Sequence, residues 1–157
     1  MKIQLWSVGK AHESQYKVAI EDFSKRISNY YPVEWKILAQ AKQNVNSTEA
    51  IVKKQEAATI LQHLSTDDYL VLLDERGKQL TSPQLAKWLQ QRANERIRQL
   101  IFLIAGAFGA DESLLKRADF TWSLSQLVFP HQLVRIILAE QLYRACSINR
   151  NEKYHHQ

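Results

Sequence analysis

The sequence has little of several features that mark common protein classes. Its one cysteine, Cys146, excludes an internal disulfide framework and a zinc site made of several cysteines. No apolar run approaches the ~20 residues that a membrane-spanning helix needs. The first residues, MKIQLWSVGK, lack the apolar stretch and the cleavage site of a signal peptide. We therefore expect a reduced, cytoplasmic protein without a membrane partner.

Motifs of several enzyme classes are also missing. Neither GxGxxG nor GxxxxGK[ST] occurs, which disfavours an ordinary dinucleotide-binding fold and a P-loop. There is no GxSxG or HExxH motif, and no His/Asp cluster has the spacing of metal ligands. Cys146 follows an apolar helical pattern and is expected to be a buried small residue rather than a nucleophile. We expect no metal site.

The composition is that of a folded globular chain with a basic end. Of the 157 residues, 45% are hydrophobic and 24% charged, and the formal net charge is +5. Residues 131–157 carry four basic and two acidic groups and three of the five histidines. This distribution suggests an anionic partner, although a solvated helix face and a frayed tail would produce the same pattern.

Strand-like and helix-like segments alternate along the chain. Alternating or continuously apolar residues predict strands at 2–8, 33–38, 69–73, 100–104 and 120–124. Helical periodicity, with Ser47 as a candidate cap, predicts helices at 13–29, 47–64, 81–94, 111–118 and 130–147. Strands separated by helices indicate βαβ units, and therefore one α/β domain over 1–157 with a parallel core.

The four glycines all fall at predicted strand ends or turns. Turn geometry is a sufficient explanation for Gly9 and Gly77, because glycine adopts positive φ without cost. Gly106 and Gly109 follow the carboxyl end of a buried strand, where ligands of open α/β sheets bind. The loop that holds them is therefore a candidate ligand loop.

Charged and imidazole side chains of the last predicted helix offer further candidates. His131 and Arg135 are four residues apart near its N-terminus, where they would suit an anion or form a simple surface pair. Glu140 and Arg144 have the spacing of a structural ion pair within a helix. His155 and His156 follow Tyr154 in a tail that would ordinarily fray.

Several segments together resemble one family of small methyltransferases. They are Leu73-Asp74, Gly77-Lys78, 81–86, 104–106, 122–125, 129–135, 140–145 and Tyr154-His155. These segments are similar to those of the RlmH family, the 23S rRNA pseudouridine N3-methyltransferases of the SPOUT superfamily. The resemblance covers the whole chain.

The resemblance implies an α/β fold whose C-terminal part forms a trefoil knot, and a homodimer. The knot would build the pocket for S-adenosylmethionine, which agrees with the missing GxGxxG motif. The cofactor contacts implied for this chain are Leu73, Gly106, Ser125, Gln126, Leu127, Val128, Phe129 and Pro130.

The implied reaction is methylation at N3 of a pseudouridine in a 23S rRNA hairpin, within the assembled ribosome. The resemblance points to His155, Arg144 and Tyr154 as catalytic residues, with neutral His155 as the candidate acceptor of the N3 proton. The alternative is that positioning of N3 against an already activated methyl group suffices without a base. Arg144 would bind or orient the RNA and Tyr154 would stack on the base. His131 and Arg135 are the other candidate RNA contacts.

Two positions depart from the family pattern. Ala105 stands where the family usually has the first of two glycines, and we expect it to strain a positive-φ backbone. His156 stands where a basic residue commonly follows the first histidine, which leaves open whether His155 or His156 acts. Two alternatives remain, a SPOUT enzyme with another target nucleotide and a non-catalytic ribosome-binding protein.

Overall fold

The computed structural model describes residues 1–156, in which strands and helices alternate. The elements are β1 (Lys2–Val8), α1 (Ser14–Ile27), β2 (Val33–Leu38), α2 (Glu49–His63), β3 (Tyr69–Gln79), α3 (Ser82–Asn94), β4 (Gln99–Ile104), α4 (Glu112–Arg117), β5 (Phe120–Ser123) and α5 (His131–Asn149). The predicted α/β class is confirmed. No helix among these residues is long and apolar enough to cross a membrane.

All five strands are parallel and form one sheet in the order β2-β1-β4-β3-β5. Strand β4 lies between β1 and β3, so that Leu100 is in register with both Ile3 and Tyr69. The continuous apolar runs of β3 and β4 are explained by this position, because helices cover both faces of a parallel sheet.

The two faces of the sheet carry separate cores. Leu100, Phe102 and Ile104 of β4 pack in the core that contains side chains of α1, α3 and α5. The alternate residues Ile101 and Leu103 pack in the core on the other face, with side chains of α2 and α4. This division follows from the two-residue period of a strand.

Strand β3 is longer than predicted, because it continues past an irregularity and pairs again with β5. Pairing shifts between Leu73 and Lys78, and Lys78 is then in register with Trp122. A β-carbon at Gly77 would lie 2.6 Å from the backbone carbonyl of Thr121. Gly77 is therefore required by the close approach of two strands, and its interpretation as a turn glycine was wrong.

Helix caps also refine the predicted bounds. Thr48, not Ser47, caps α2, since its hydroxyl accepts a 3.2 Å hydrogen bond from Ile51 N–H. Thr81 and Gln84 form a reciprocal capping box at the start of α3, where the sequence predicted a helix start. Gly9 has φ +136°, so its prediction as a turn glycine is confirmed.

Candidate functional site

A cavity of about 690 Å³ opens beside the irregular middle of β3 and the carboxyl ends of β4 and β5. This is the edge at which α/β sheets bind ligands, and the volume is in the range of small-molecule sites. Its lining comes from the irregular segment of β3, from the loops after β4 and β5, from the first turn of α5 and from α2. The lining residues are Lys53, 73–76, 104–110, Leu124, Ser125, 127–129, His131 and Val134.

Most residues that the resemblance implied for the cofactor meet in this cavity. They are Leu73, Gly106, Ser125, Leu127, Val128 and Phe129. Gln126 and Pro130 belong to the same loop but do not line the cavity, and Pro130 is the N-cap residue of α5. The loop after β5 is thus placed as expected, while contact with a cofactor stays a prediction.

Hydrogen bonds inside the loop after β5 hold its first turn. The Ser123 hydroxyl donates to Ser125 O at 3.0 Å, and Leu127 N–H donates to Ser125 Oγ at 3.0 Å. Beyond this turn, Leu127 and Val128 are 70% and 84% exposed. An apolar surface therefore lies open at the rim of the cavity.

A charged pair that was not predicted as part of the site also lines the cavity. Arg76 donates to both carboxylate oxygens of Asp74 through Nε and Nη2, each at 2.8 Å. The Arg76 guanidinium holds the pKa of Asp74 below its ordinary value, so the carboxylate stays ionised. The signal in the sequence is the position of Asp74 immediately after a buried apolar run.

His131 connects α5 with the loop after β4, which holds Gly106 and Gly109 and is called the glycine loop below. Its Nε2 lies 2.6 Å from the carbonyl oxygen of Ala105. Burial lowers the pKa of His131, and nearby Arg135 acts in the same direction, so the neutral ring donates from Nε2. Ala105 is not among the residues with positive φ, which corrects the expected backbone strain at this position.

Arg135 is wholly buried, with 0% of its surface exposed. Its guanidinium donates to Ser7 Oγ at 3.0 Å and Lys10 O at 2.8 Å. It also lies 3.1 Å from His12 Nδ1 and 3.3 Å from Gln132 Oε1. Arg135 therefore stabilises the loop after β1 and presents no side-chain atom to RNA, which corrects the expectation of an RNA contact.

The three residues implied as catalytic lie together at the other end of α5. Arg144 Nε donates to Glu140 Oε1 at 3.0 Å, and Tyr154 OH donates to the same oxygen at 3.1 Å. The Arg144 guanidinium is 4.7 Å from the Tyr154 ring centroid. Arg144 Nη1 is 3.3 Å from Nδ1 of His155. We call Glu140, Arg144, Tyr154 and His155 the tail cluster.

The tail cluster does not line the cavity at the carboxyl end of the sheet. Arg144 follows His131 by thirteen residues on one helix, which corresponds to roughly 20 Å at 1.5 Å per residue. One chain therefore does not bring the implied catalytic residues to the implied cofactor residues.

Cys146 does not line the cavity. Cys146 is buried in the core under α5, and burial raises the pKa of its thiol to about 12. The prediction of a buried cysteine is confirmed. Within residues 1–156, no group of three or more His, Cys, Asp or Glu side chains could hold a metal ion.

Comparison with known proteins gives full-length matches. A family model described as predicted SPOUT methyltransferase matches residues 1–155. A Cytophaga hutchinsonii protein named ribosomal RNA large subunit methyltransferase H is 39% identical over 156 residues, covering 99% of this chain and 100% of that protein. Proteins of the same name from Christiangramia forsetii and Geobacter metallireducens are 40% and 38% identical, over 100% and 99% of both chains.

Proposed function

This chain belongs to the SPOUT methyltransferase family, and on that premise we propose that it methylates N3 of a pseudouridine in 23S rRNA. The methyl donor is S-adenosylmethionine, and the substrate is the assembled ribosome in the cytoplasm. The observation that carries the proposal is the cavity built from the irregular segment of β3 and the loops after β4 and β5. The names of the relatives support an rRNA substrate of the large subunit.

The residues of the cavity fit S-adenosylmethionine chemically. Leu73, Ile104 and Phe129 provide apolar walls for an adenine ring, while Asp74 and Lys53 offer charges to a zwitterionic methionine end. When bound, the cofactor would supply a sulfonium-activated methyl group and would leave as the neutral thioether S-adenosylhomocysteine, while the N3 proton would pass to a base. The trefoil knot remains part of this proposal.

A homodimer would unite the two halves of the site. The tail cluster and the cavity lie at opposite ends of α5, so a second copy has to bring its tail to the first copy's cavity. The exposed side chains of Leu127, Val128 and Phe108 at the cavity rim offer a surface for that copy to cover. The proposed enzyme is therefore a dimer with composite sites.

The geometry of the tail cluster bears on the base that accepts the N3 proton. Arg144 is a donor toward Nδ1 of His155, which leaves the proton of a neutral ring on Nε2. His155 accepts the N3 proton only after Arg144 releases Nδ1. We infer that RNA phosphate draws Arg144 away, so that substrate binding prepares the base.

Transfer of labelled methyl from S-adenosylmethionine to ribosomes lacking the modification tests the proposal. Free 23S rRNA and separate large subunits are assayed beside intact particles, and the labelled nucleotide is mapped. Label on N3 of a pseudouridine in intact particles alone supports the proposal. Label on another nucleotide would support S-adenosylmethionine as the methyl donor and would contradict the proposed target nucleotide. Cofactor binding without transfer favours a ribosome-binding protein that retains the fold.

A further inference from the structure

A second cavity lies between the C-terminal end of α1 and the chain that follows α5. Its volume is about 450 Å³, and we call it the α1–α5 pocket. The lining residues are Arg26, Asn29, Tyr30, Tyr143, Arg150 and Glu152. None of them was singled out as a functional residue from the sequence.

Contacts between cations and aromatic rings connect this pocket with the tail cluster. The Arg26 guanidinium is 5.5 Å from the Tyr143 ring centroid, and the tilted rings of Tyr143 and Tyr154 are 4.6 Å apart, centroid to centroid. The Arg144 guanidinium is 4.7 Å from the Tyr154 ring centroid. A chain of contacts therefore leads from the pocket to the implied catalytic residues.

The charge of the α1–α5 pocket favours an anion. Its one carboxylate, Glu152, accepts a hydrogen bond from Tyr30 OH. Arg26 is paired with Asp22 at 3.1 Å, yet its side chain remains 45% exposed. The Arg150 side chain is exposed and forms no ion pair with any residue of the described range 1–156.

We propose that the α1–α5 pocket binds a nucleotide of the substrate RNA that neighbours the target base. The RNA phosphate contacts Arg150 and Arg26, and the base lies against the exposed edges of Tyr30 and Tyr143. Unpaired bases of RNA loops bind in this way, on aromatic rings and arginine planes. This inference rests on the proposed function, because it extends the RNA surface beside the tail cluster.

Alanine variants of the two arginines test the pocket. Arg26→Ala, Arg150→Ala and the double variant are compared with Lys116→Ala, an exposed cation on α4 against the other face of the sheet. We expect each single variant to raise KM for ribosomes roughly tenfold with kcat unchanged, which corresponds to one lost charge-assisted contact, and the double variant to raise KM further. Lys116→Ala should leave KM unchanged.

Two further readouts separate an RNA subsite from a structural effect. Calorimetric affinity for S-adenosylmethionine and the thermal midpoint should match wild type in all variants. The affinity of the double variant for a single-stranded RNA loop should depend less on salt than that of wild type. The slope of log affinity against log salt concentration should fall in magnitude by roughly 0.7 per phosphate contact removed. Arg150→Lys should recover part of the affinity.

If KM and the salt dependence of RNA binding are unchanged in the double variant, the α1–α5 pocket does not bind the substrate RNA, while the proposed function stands. A fall in kcat at unchanged KM would also overturn it. If wild-type protein methylates no ribosomal RNA, the proposed function fails. Binding of the RNA loop by wild type and by the double variant then still decides whether the α1–α5 pocket binds RNA.

Discussion

The backbone of Gly106 lies directly against the carboxyl group of Glu56. A β-carbon at Gly106 would be 2.9 Å from Cδ of Glu56 and closer still to one carboxylate oxygen. Glu56 belongs to α2 and is only 7% exposed, so it has little room to move aside. The glycine loop of the cavity therefore rests on a buried acid from the other face of the sheet.

Gly106→Ala should weaken binding of S-adenosylmethionine about tenfold, because overpacking of one methyl group costs about 1–3 kcal/mol and displaces the loop. Adding Glu56→Ala removes the obstacle, so the double variant should bind the cofactor more tightly than Gly106→Ala. Calorimetric titration of the four proteins gives the coupling energy. Additive effects would show that the contact between the two residues does not matter.

Burial raises the pKa of the Glu56 carboxyl above its ordinary value of 4.5, against the opposing effect of Ala41 N–H. The folded chain then keeps a proton on Glu56 at pH values where the unfolded chain has lost it. Stability from this group is present below the unfolded pKa and falls as pH rises through the folded pKa. Glu56→Gln cannot ionise and should gain stability over wild type between about pH 4 and pH 7.

Urea unfolding at about pH 4 and about pH 7 measures the free energy of unfolding of Glu56→Gln and of wild type. Glu75→Gln, at an exposed position of β3, is the matched control and should follow wild type. A constant difference between Glu56→Gln and wild type across this range would contradict the assigned direction.

His155 and His156 should differ in their effect on methylation. His155 lies within 3.3 Å of Arg144, and His156 is exposed beyond it. We expect His155→Ala to lower kcat by about 100-fold or more, the usual effect of losing a general base. His156→Ala should stay near wild type. Methyl-transfer kinetics with equal cofactor affinity in both variants decide the point, and equal losses would refute it.

Mixed dimers should recover activity that neither parent has. Ala107→Trp fills the cavity from an exposed lining position, whereas His155→Ala damages the tail cluster. If a site takes its cavity and its tail from different chains, mixed dimers contain one intact site. Random mixing then restores about a quarter of wild-type activity, since half the dimers are mixed. Sites complete within one chain would give no recovery.

Arg135→Met should destabilise the fold by about 2–5 kcal/mol, because it leaves the buried Ser7 hydroxyl and the carbonyl oxygen of Lys10 without their donor. Arg98→Met, at an exposed position, is the control and should change little. Urea unfolding gives both values. If Arg135→Met is as stable as wild type, the hydrogen bonds of Arg135 contribute little to stability.

The strands were predictable because their signal is local. A continuous apolar run such as 100–104 indicates burial on both faces whatever lies beside it. The loop of Ser125 to Pro130 was placed through family resemblance, since its local periodicity is that of a short strand or loop.

Other features depend on residues far apart in sequence. Gly77 is needed because Thr121 passes within 2.6 Å of its β-position, which the pairing of β3 with β5 decides. Arg135 has the spacing of a surface pair with His131, and only the loop after β1 makes it a buried residue. The separation of Arg144 from the cavity likewise follows from the straight course of α5.

The strand order also affects how the chain reaches its fold. In the sheet β1 pairs with β4, and Lys2 is in register with Gln99, which lies 97 residues further along the chain. Strand β1 therefore cannot form this pairing until β4 has been synthesised. Its first neighbour, β2, is an edge strand, which leaves one side of the apolar β1 without a partner during synthesis. Contacts of such long sequence separation slow folding and expose strand edges to aggregation. The newly made N-terminal third therefore carries an unpaired strand edge until β4 has been synthesised.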